Sequence, residues 1–103
     1  MTHTLPRFLD AADQTRFGVD LGDGHADLLG ASPLTAPPTP TGRVVPIHRR
    51  LAPLEPANIF CIGLNYREHA RETGAELPEH PVVFMKPTTA LNHPDMPIFL
   101  PRC

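Results

Sequence analysis

Proline fences almost every apolar run of this chain. Pro33, Pro37, Pro38 and Pro40 follow the first run, Pro53 and Pro56 precede the next, and "PVVFMKP" and "MPIFLP" each lie between two prolines or nearly so. A proline has no N–H to donate and a fixed φ, so it is excluded from helix interiors and central strands. The chain has 14 prolines in 103 residues, well above the ~5% of an average protein. Much of the backbone must therefore be loop, turn or edge strand, and no long amphipathic helix fits the pattern.

A chain of 103 residues holds one domain's worth of sequence at most and buries only roughly 60–65% of its unfolded surface. Its core will be small. The hydrophobic share of 41% with 19% charged residues marks a globular chain rather than a disordered one. Nine basic residues stand against eleven acidic ones, without a run of like charges. The clustered Lys and Arg of a nucleic-acid footprint are missing, so no nucleic-acid partner is expected. The opening "MTHTLPRFLD" has neither the basic nor the apolar region of a signal peptide, and no apolar stretch approaches ~18 residues. The expectation is a soluble, cytoplasmic protein with no membrane partner. Cys61 and Cys103 have no metal-ligand spacing and read as a reduced core thiol and a terminal thiol.

Residues 15–29, "TRFGVDLGDGHADLL", alternate with period two. Phe17, Val19 and Leu21 fall on one face, and Arg16, Gly18 and Asp20 on the other. That is the pattern of a half-buried strand, with the apolar face expected inward. Gly22-Asp23-Gly24 supplies a tight turn, and Ala26 to Leu29 forms the return strand of a hairpin. Residues 30–42, "GASPLTAPPTPTG", exclude both helix and central strand and read as a proline-rich linker. Two apolar pieces follow, around Val44 to Ile47 and Asn58 to Leu64. The second lacks alternation and reads as a strand buried on both faces. Residues 81–87 and 96–101 are two further strand candidates.

Between these strands lies "NYREHARETG". Asn65 suits an N-cap, Glu68 three positions later completes a capping box, and Gly74 supplies the stop, so "YREHARET" should be a helix of about two turns. Alone it would be marginal and must pack on something or move. In such a helix His69 and Glu72 are i, i+3 neighbours, and the carboxylate can fix the imidazole tautomer and raise its basicity. That is the geometry of a general base and its orienter. Spacing by itself better describes a solvated helix in which Arg67, Glu68, Arg71 and Glu72 make surface pairs and His69 is a bystander. Lys86, at the end of a buried-looking strand, either faces a site or snorkels to the surface. His3, His25, His48, His80 and His93 lack a His or Cys partner at metal spacing and read as surface or turn residues.

The ordered set "NIFCIGLNYREHARETG", then a proline-rich spacer, then "PVVFMKPTTAL" and "MPIFLP", resembles the opening of the fumarylacetoacetate hydrolase family's catalytic domain. Upstream, "RFGVDLGDGHADLLG", "PTGRVVPI" and "RLAPLEPANI" resemble the small N-terminal module of many bacterial members. The resemblance implies a mainly β fold with one short helix. Residues 1–52 would be the β module, with its linker at 30–42, and residues 53–103 the first strands of a mixed β roll, incomplete. It also implies hydrolysis, decarboxylation or isomerisation of small 2-oxo or β-diketo acids, with Mg2+ or Mn2+ as Lewis acid.

Carried over residue by residue, His69 and Glu72 would be the catalytic dyad on a lid-like helix, and Tyr66 and Lys86 would border the substrate. The family's metal ligands are a Glu-x-Glu pair and a later aspartate, which have no counterpart among these residues. No metal ligand is therefore assigned, no cation is expected to bind this chain alone, and little independent activity is expected. Strands of the buried type with open edges invite a homo-oligomer or a complementary chain.

Overall fold

The structure, a computed structural model, describes residues 3–102. They form two compact units: one runs to Glu55 and is rejoined from Asn92 onward, the other is Pro56–Leu91. Among the described residues no helix is long and apolar enough to cross a membrane. The molecule is mainly β with one short helix, in keeping with the resemblance.

The first unit is an antiparallel sheet of five strands: β1 (Arg7–Leu9), β2 (Thr15–Asp20), β3 (His25–Leu29), β4 (Pro40–Pro46) and β5 (Arg49–Arg50), in the order β4-β3-β2-β1-β5. Only Ile47 and His48 connect the two edge strands. A flat five-stranded sheet would hold those edges ~19 Å apart, whereas three Cα steps reach ~11 Å at most. The sheet must curl, and its concave side holds the core of Phe8, Ala26 and Leu28, with Val45 and Ile47 packed against it.

The curl reverses the expected orientation of β2. Gly18 is buried, Phe17 and Val19 are half-buried, and Leu21 is exposed. The period of two is right, but the face carrying Arg16, Gly18 and Asp20 points inward. Close packing explains the inversion: a Cβ on Gly18 would stand 2.8 Å from the Ala26 Cβ and 3.3 Å from the Phe8 ring. The interior is filled by Phe8 from the neighbouring strand, which leaves no room for a side chain on Gly18. The two charges flanking Gly18 on this face are paired, Arg16 with Asp10 at 2.9 Å and Asp20 with Arg50 at 2.7 Å.

The hairpin between β2 and β3 lies where the sequence places it, with Gly22 (φ 81°) and Gly24 (φ 87°) in the left-handed region of its turn. The hairpin between β1 and β2 is less legible. Asp13 takes φ 56° after an Asp10–Asp13 turn, where glycine would carry no Cβ penalty. The Asp10 carboxylate accepts from the N–H groups of Ala12 and Gln14. The proline-rich residues 30–39 form the loop from β3 to β4, closed by the Gly30 N–H to Thr39 carbonyl bond at 3.2 Å.

The second unit holds β6 (Ile59–Gly63), α1 (Arg67–Glu72), β7 (Val82–Lys86) and a single 3-10 turn, Thr88–Ala90. Strands β6 and β7 pair antiparallel, Phe60 opposite Met85 and Ile62 opposite Val83. The expectation of a strand buried on both faces is corrected here. Phe60, Ile62, Val83 and Met85 share one face and are 49–65% exposed, because β7 is the only strand hydrogen-bonded to β6 among the described residues. The strand candidate at 96–101 is also corrected. These residues join neither sheet, and Ile98, Phe99 and Leu100 are 82–85% exposed. An apolar run becomes a strand only when a neighbouring ladder takes its N–H and C=O groups.

Candidate functional site

The strongest sequence signal for chemistry falls on α1. Its C-terminal end is fixed as the sequence predicts. Gly74 takes φ 67°, its N–H donates to the Arg71 carbonyl at 3.2 Å, and the Ala75 N–H donates to the Ala70 carbonyl at 2.9 Å. This pair of bonds is a Schellman motif, and Ala70 is the helix's one buried residue.

The N-terminal end differs from the expected capping box. Tyr66 is the N-cap, with extended backbone and no side-chain cap bond. Leu64 is the reason: at φ 51° it turns the chain sharply out of β6, so the helix starts at Arg67. Asn65 then precedes the cap, and Glu68 sits at the second helical position instead of the third, where a capping box requires it. A left-handed leucine costs about 1–2 kcal/mol, so the surrounding structure holds this turn against local strain.

Helix α1 presents His69 and Glu72 one turn apart, both exposed. No hydrogen bond or ion pair joins the two side chains, and neither has another protein partner. The His69 carbonyl accepts from the Thr73 N–H at 3.1 Å and from the Thr73 hydroxyl at 2.9 Å, so the residue's backbone is fixed while its imidazole is unengaged. Tyr66 is 74% exposed. Lys86 ends β7 opposite Ile59, exposed and unpaired.

A shallow cleft of about 300 Å3 opens beside the β6–α1 turn, between residues 62–67 and 77–81. Leu64, Leu77 and Pro81 give it apolar walls, and Arg67, Glu79 and His80 give it polar groups. None of those three polar side chains has a protein partner. By sequence alone His80 is a surface or turn residue and Arg67 one half of a surface pair. No local pattern reveals the cleft, because its two walls meet only after the chain doubles back.

His93 is likewise more than a turn residue: its Nδ1 accepts from the Ala52 N–H at 2.9 Å, tying residue 93 to the first unit across 41 positions. The carboxylates held below the ordinary range, Asp10 and Asp20, also belong to that unit. The Arg16 side-chain hydrogen bond is the main cause at Asp10. At Asp20 the Gly22 N–H comes first and Arg50 second.

Among the described residues no group of three or more His, Cys, Asp or Glu side chains could hold a metal ion. A hard divalent cation takes converging oxygen ligands, and no such group of three is assembled among the described residues. Cys61 is a free, half-buried thiol in β6, and Cys103 lies outside the described residues.

Comparison with known proteins adds to this geometry. The fumarylacetoacetate hydrolase C-terminal family matches residues 58–103. A solved structure of an uncharacterized protein from Mycobacterium abscessus superposes with a TM-score of 0.68 and 34% identity, covering 97% of this chain and 39% of that one. A protein of Mycobacterium tuberculosis is 46% identical over 66 residues, which are 62% of this chain and 25% of the relative. Oxaloacetate tautomerase YisK of Bacillus subtilis is 57% identical over 42 residues, 38% of this chain and 14% of that protein. The matched stretch thus spans 39% or less of each of these proteins. The matching segment begins at the strand that leads into the Leu64 turn and continues through α1 and β7, so it is this part of the chain that is similar to the fumarylacetoacetate hydrolase family.

Proposed function

We propose that this chain supplies the opening part of a divalent-cation-dependent enzyme that hydrolyses, decarboxylates or isomerises a small 2-oxo or β-diketo acid. One observation carries the reading. A helix closed by a Schellman motif holds His69 and Glu72 one turn apart with both side chains unengaged. Similarity to an oxaloacetate tautomerase supports the substrate class. In this role the His69 imidazole moves a proton at the substrate carbon or at water, and the Glu72 carboxylate orients the ring and stabilises its protonated form. Tyr66 and Lys86 border the substrate. The cation would polarise the substrate's oxo oxygen, and no step is assigned through it because its ligands are not among these residues.

The test is proton exchange and turnover of oxaloacetate, followed by NMR with added Mg2+. The chain alone should give little above the buffer rate. With residues 58–91 transplanted into the aligned stretch of the Bacillus subtilis tautomerase, His69→Gln should lower kcat by about 10²-fold or more. Glu72→Gln should lower it less. An undiminished kcat in the His69→Gln chimera would sink the proposal.

A second reading is favoured by the bare face of Phe60, Ile62, Val83 and Met85. In this reading the chain is a non-catalytic segment that docks through its exposed strands onto a full-length relative or another complementary chain. A monodisperse, well-folded monomer in size-exclusion chromatography would count against it.

A further inference from the structure

We propose that the cleft beside α1 is a binding site for a small monocarboxylate with an apolar tail, and that Arg67 and His80 are its anion-binding side chains. The first observation is the strain at Leu64. A leucine at φ 51° is an outlier at a position where glycine or asparagine would adopt the turn readily, and its side chain forms a wall of the cleft. Backbone strain retained at a concave surface points to a role for the side chain it positions.

The second observation is the chemistry of the lining. Arg67 and His80 have no carboxylate partner in the protein, and both line a recess of about 300 Å3. A guanidinium presents a planar fork that matches a carboxylate. Leu64, Leu77 and Pro81 offer apolar surface to whatever carries that carboxylate. Glu79 lines the same recess and opposes a second negative charge, which selects a monoanion over a dianion. The volume sits at the small end for ligand sites.

The inference stands apart from the catalytic reading, since binding is measured without turnover and either can fail alone. The probe is hexanoate, titrated into the full chain and followed by amide and side-chain chemical shifts. Saturable shifts should concentrate at Leu64, Arg67, Leu77 and His80. Hexanamide, which lacks the charge, acetate, which lacks the tail, and adipate, which adds a second carboxylate, should each bind more weakly. Arg67→Gln should weaken hexanoate about tenfold or more, the scale of one charged hydrogen bond, and His80→Gln should weaken it less. Leu64→Gly removes strain and wall together and should weaken hexanoate without loss of fold, as read from the amide spectrum. Arg49→Gln, in the first unit, should leave binding unchanged. The proposal is overturned if hexanamide binds as tightly as hexanoate, or if the Arg67→Gln, His80→Gln double variant binds hexanoate as the parent does.

Discussion

The two units bring different amounts of apolar material and reach the opposite of what those amounts suggest. In the first, Phe8 comes from a three-residue strand and is paired across the sheet with Arg16 and Arg50, yet its side chain is fully buried. In the second, "IFCIG" and "VVFMK" are far richer in apolar residues, yet Phe60 stays 65% and Val83 60% exposed. Five strands that curl enclose a volume; two strands present two faces to whatever lies outside them. Burial is therefore a property of how many partners a strand has, and hydropathy only states how much is gained when they are present.

The sharpest way to break this comparison is to truncate one phenylalanine in each unit. Phe8→Ala should remove about 3–5 kcal/mol from the unfolding free energy, enough to unfold a small domain of ordinary stability. Phe60→Ala should change it by less than about 1 kcal/mol, because the ring is mostly in solvent already. Urea denaturation followed by circular dichroism measures both. Equal costs would mean that the β6–β7 face is covered in solution.

A smaller contrast comes from glycine. Gly18→Ala drives a Cβ to within 2.8 Å of the Ala26 Cβ and 2.9 Å of the Asp27 carbonyl oxygen, and should destabilise by about 1–3 kcal/mol. Gly63→Ala meets Val82 and Phe84 only at 3.5–3.6 Å, ordinary contact. It should be neutral, or stabilising by up to about 1 kcal/mol through the lost freedom of the unfolded chain. Thermal melts of the two variants compare the packing of the two sheets, and a destabilising Gly63→Ala would reveal crowding on the second.

The smallest effect is electrostatic and confined to the first unit. Asp10 and Asp20 are held below the ordinary carboxylate range in the fold, so the unfolded chain takes up protons first as pH falls. Their contribution is present above the unfolded value of about 3.9 and is lost as pH drops through the lowered folded values. Both carboxylates are half-buried, but their partners Arg16 and Arg50 remain partly exposed, so solvent screens the pairs and the effect is modest. Asp20→Asn should flatten the decline of the urea midpoint between neutral pH and pH 3, and an unchanged slope would remove Asp20 from the account.

Local chemistry was legible wherever neighbours in sequence decided the outcome. Gly22-Asp23-Gly24 marked its turn, Gly74 marked the helix stop, and the proline fences around "VVFMK" bounded β7. The helix start was misread because Leu64 turns in a way its residue type disfavours, a choice imposed from outside the segment. Residues 96–101 were misread because a strand needs a partner that no window of sequence contains. For the candidate site, the i, i+3 placement of His69 and Glu72 was readable from spacing. The recess that brings His80 to Arg67, and the bond from Ala52 to His93, were not.

By itself the sequence determined where the backbone can turn, where it cannot pair, and which short segment carries a histidine and a glutamate one turn apart. Those follow from φ restrictions and hydrogen-bonding capacity within a few residues. Only the tertiary structure decided which face of β2 points inward, which apolar runs are covered, and which unpaired cation shares a cleft with which apolar wall. Those outcomes depend on close packing between segments distant in the chain, and packing is decided by shape and by the number of partners, which residue type alone does not specify.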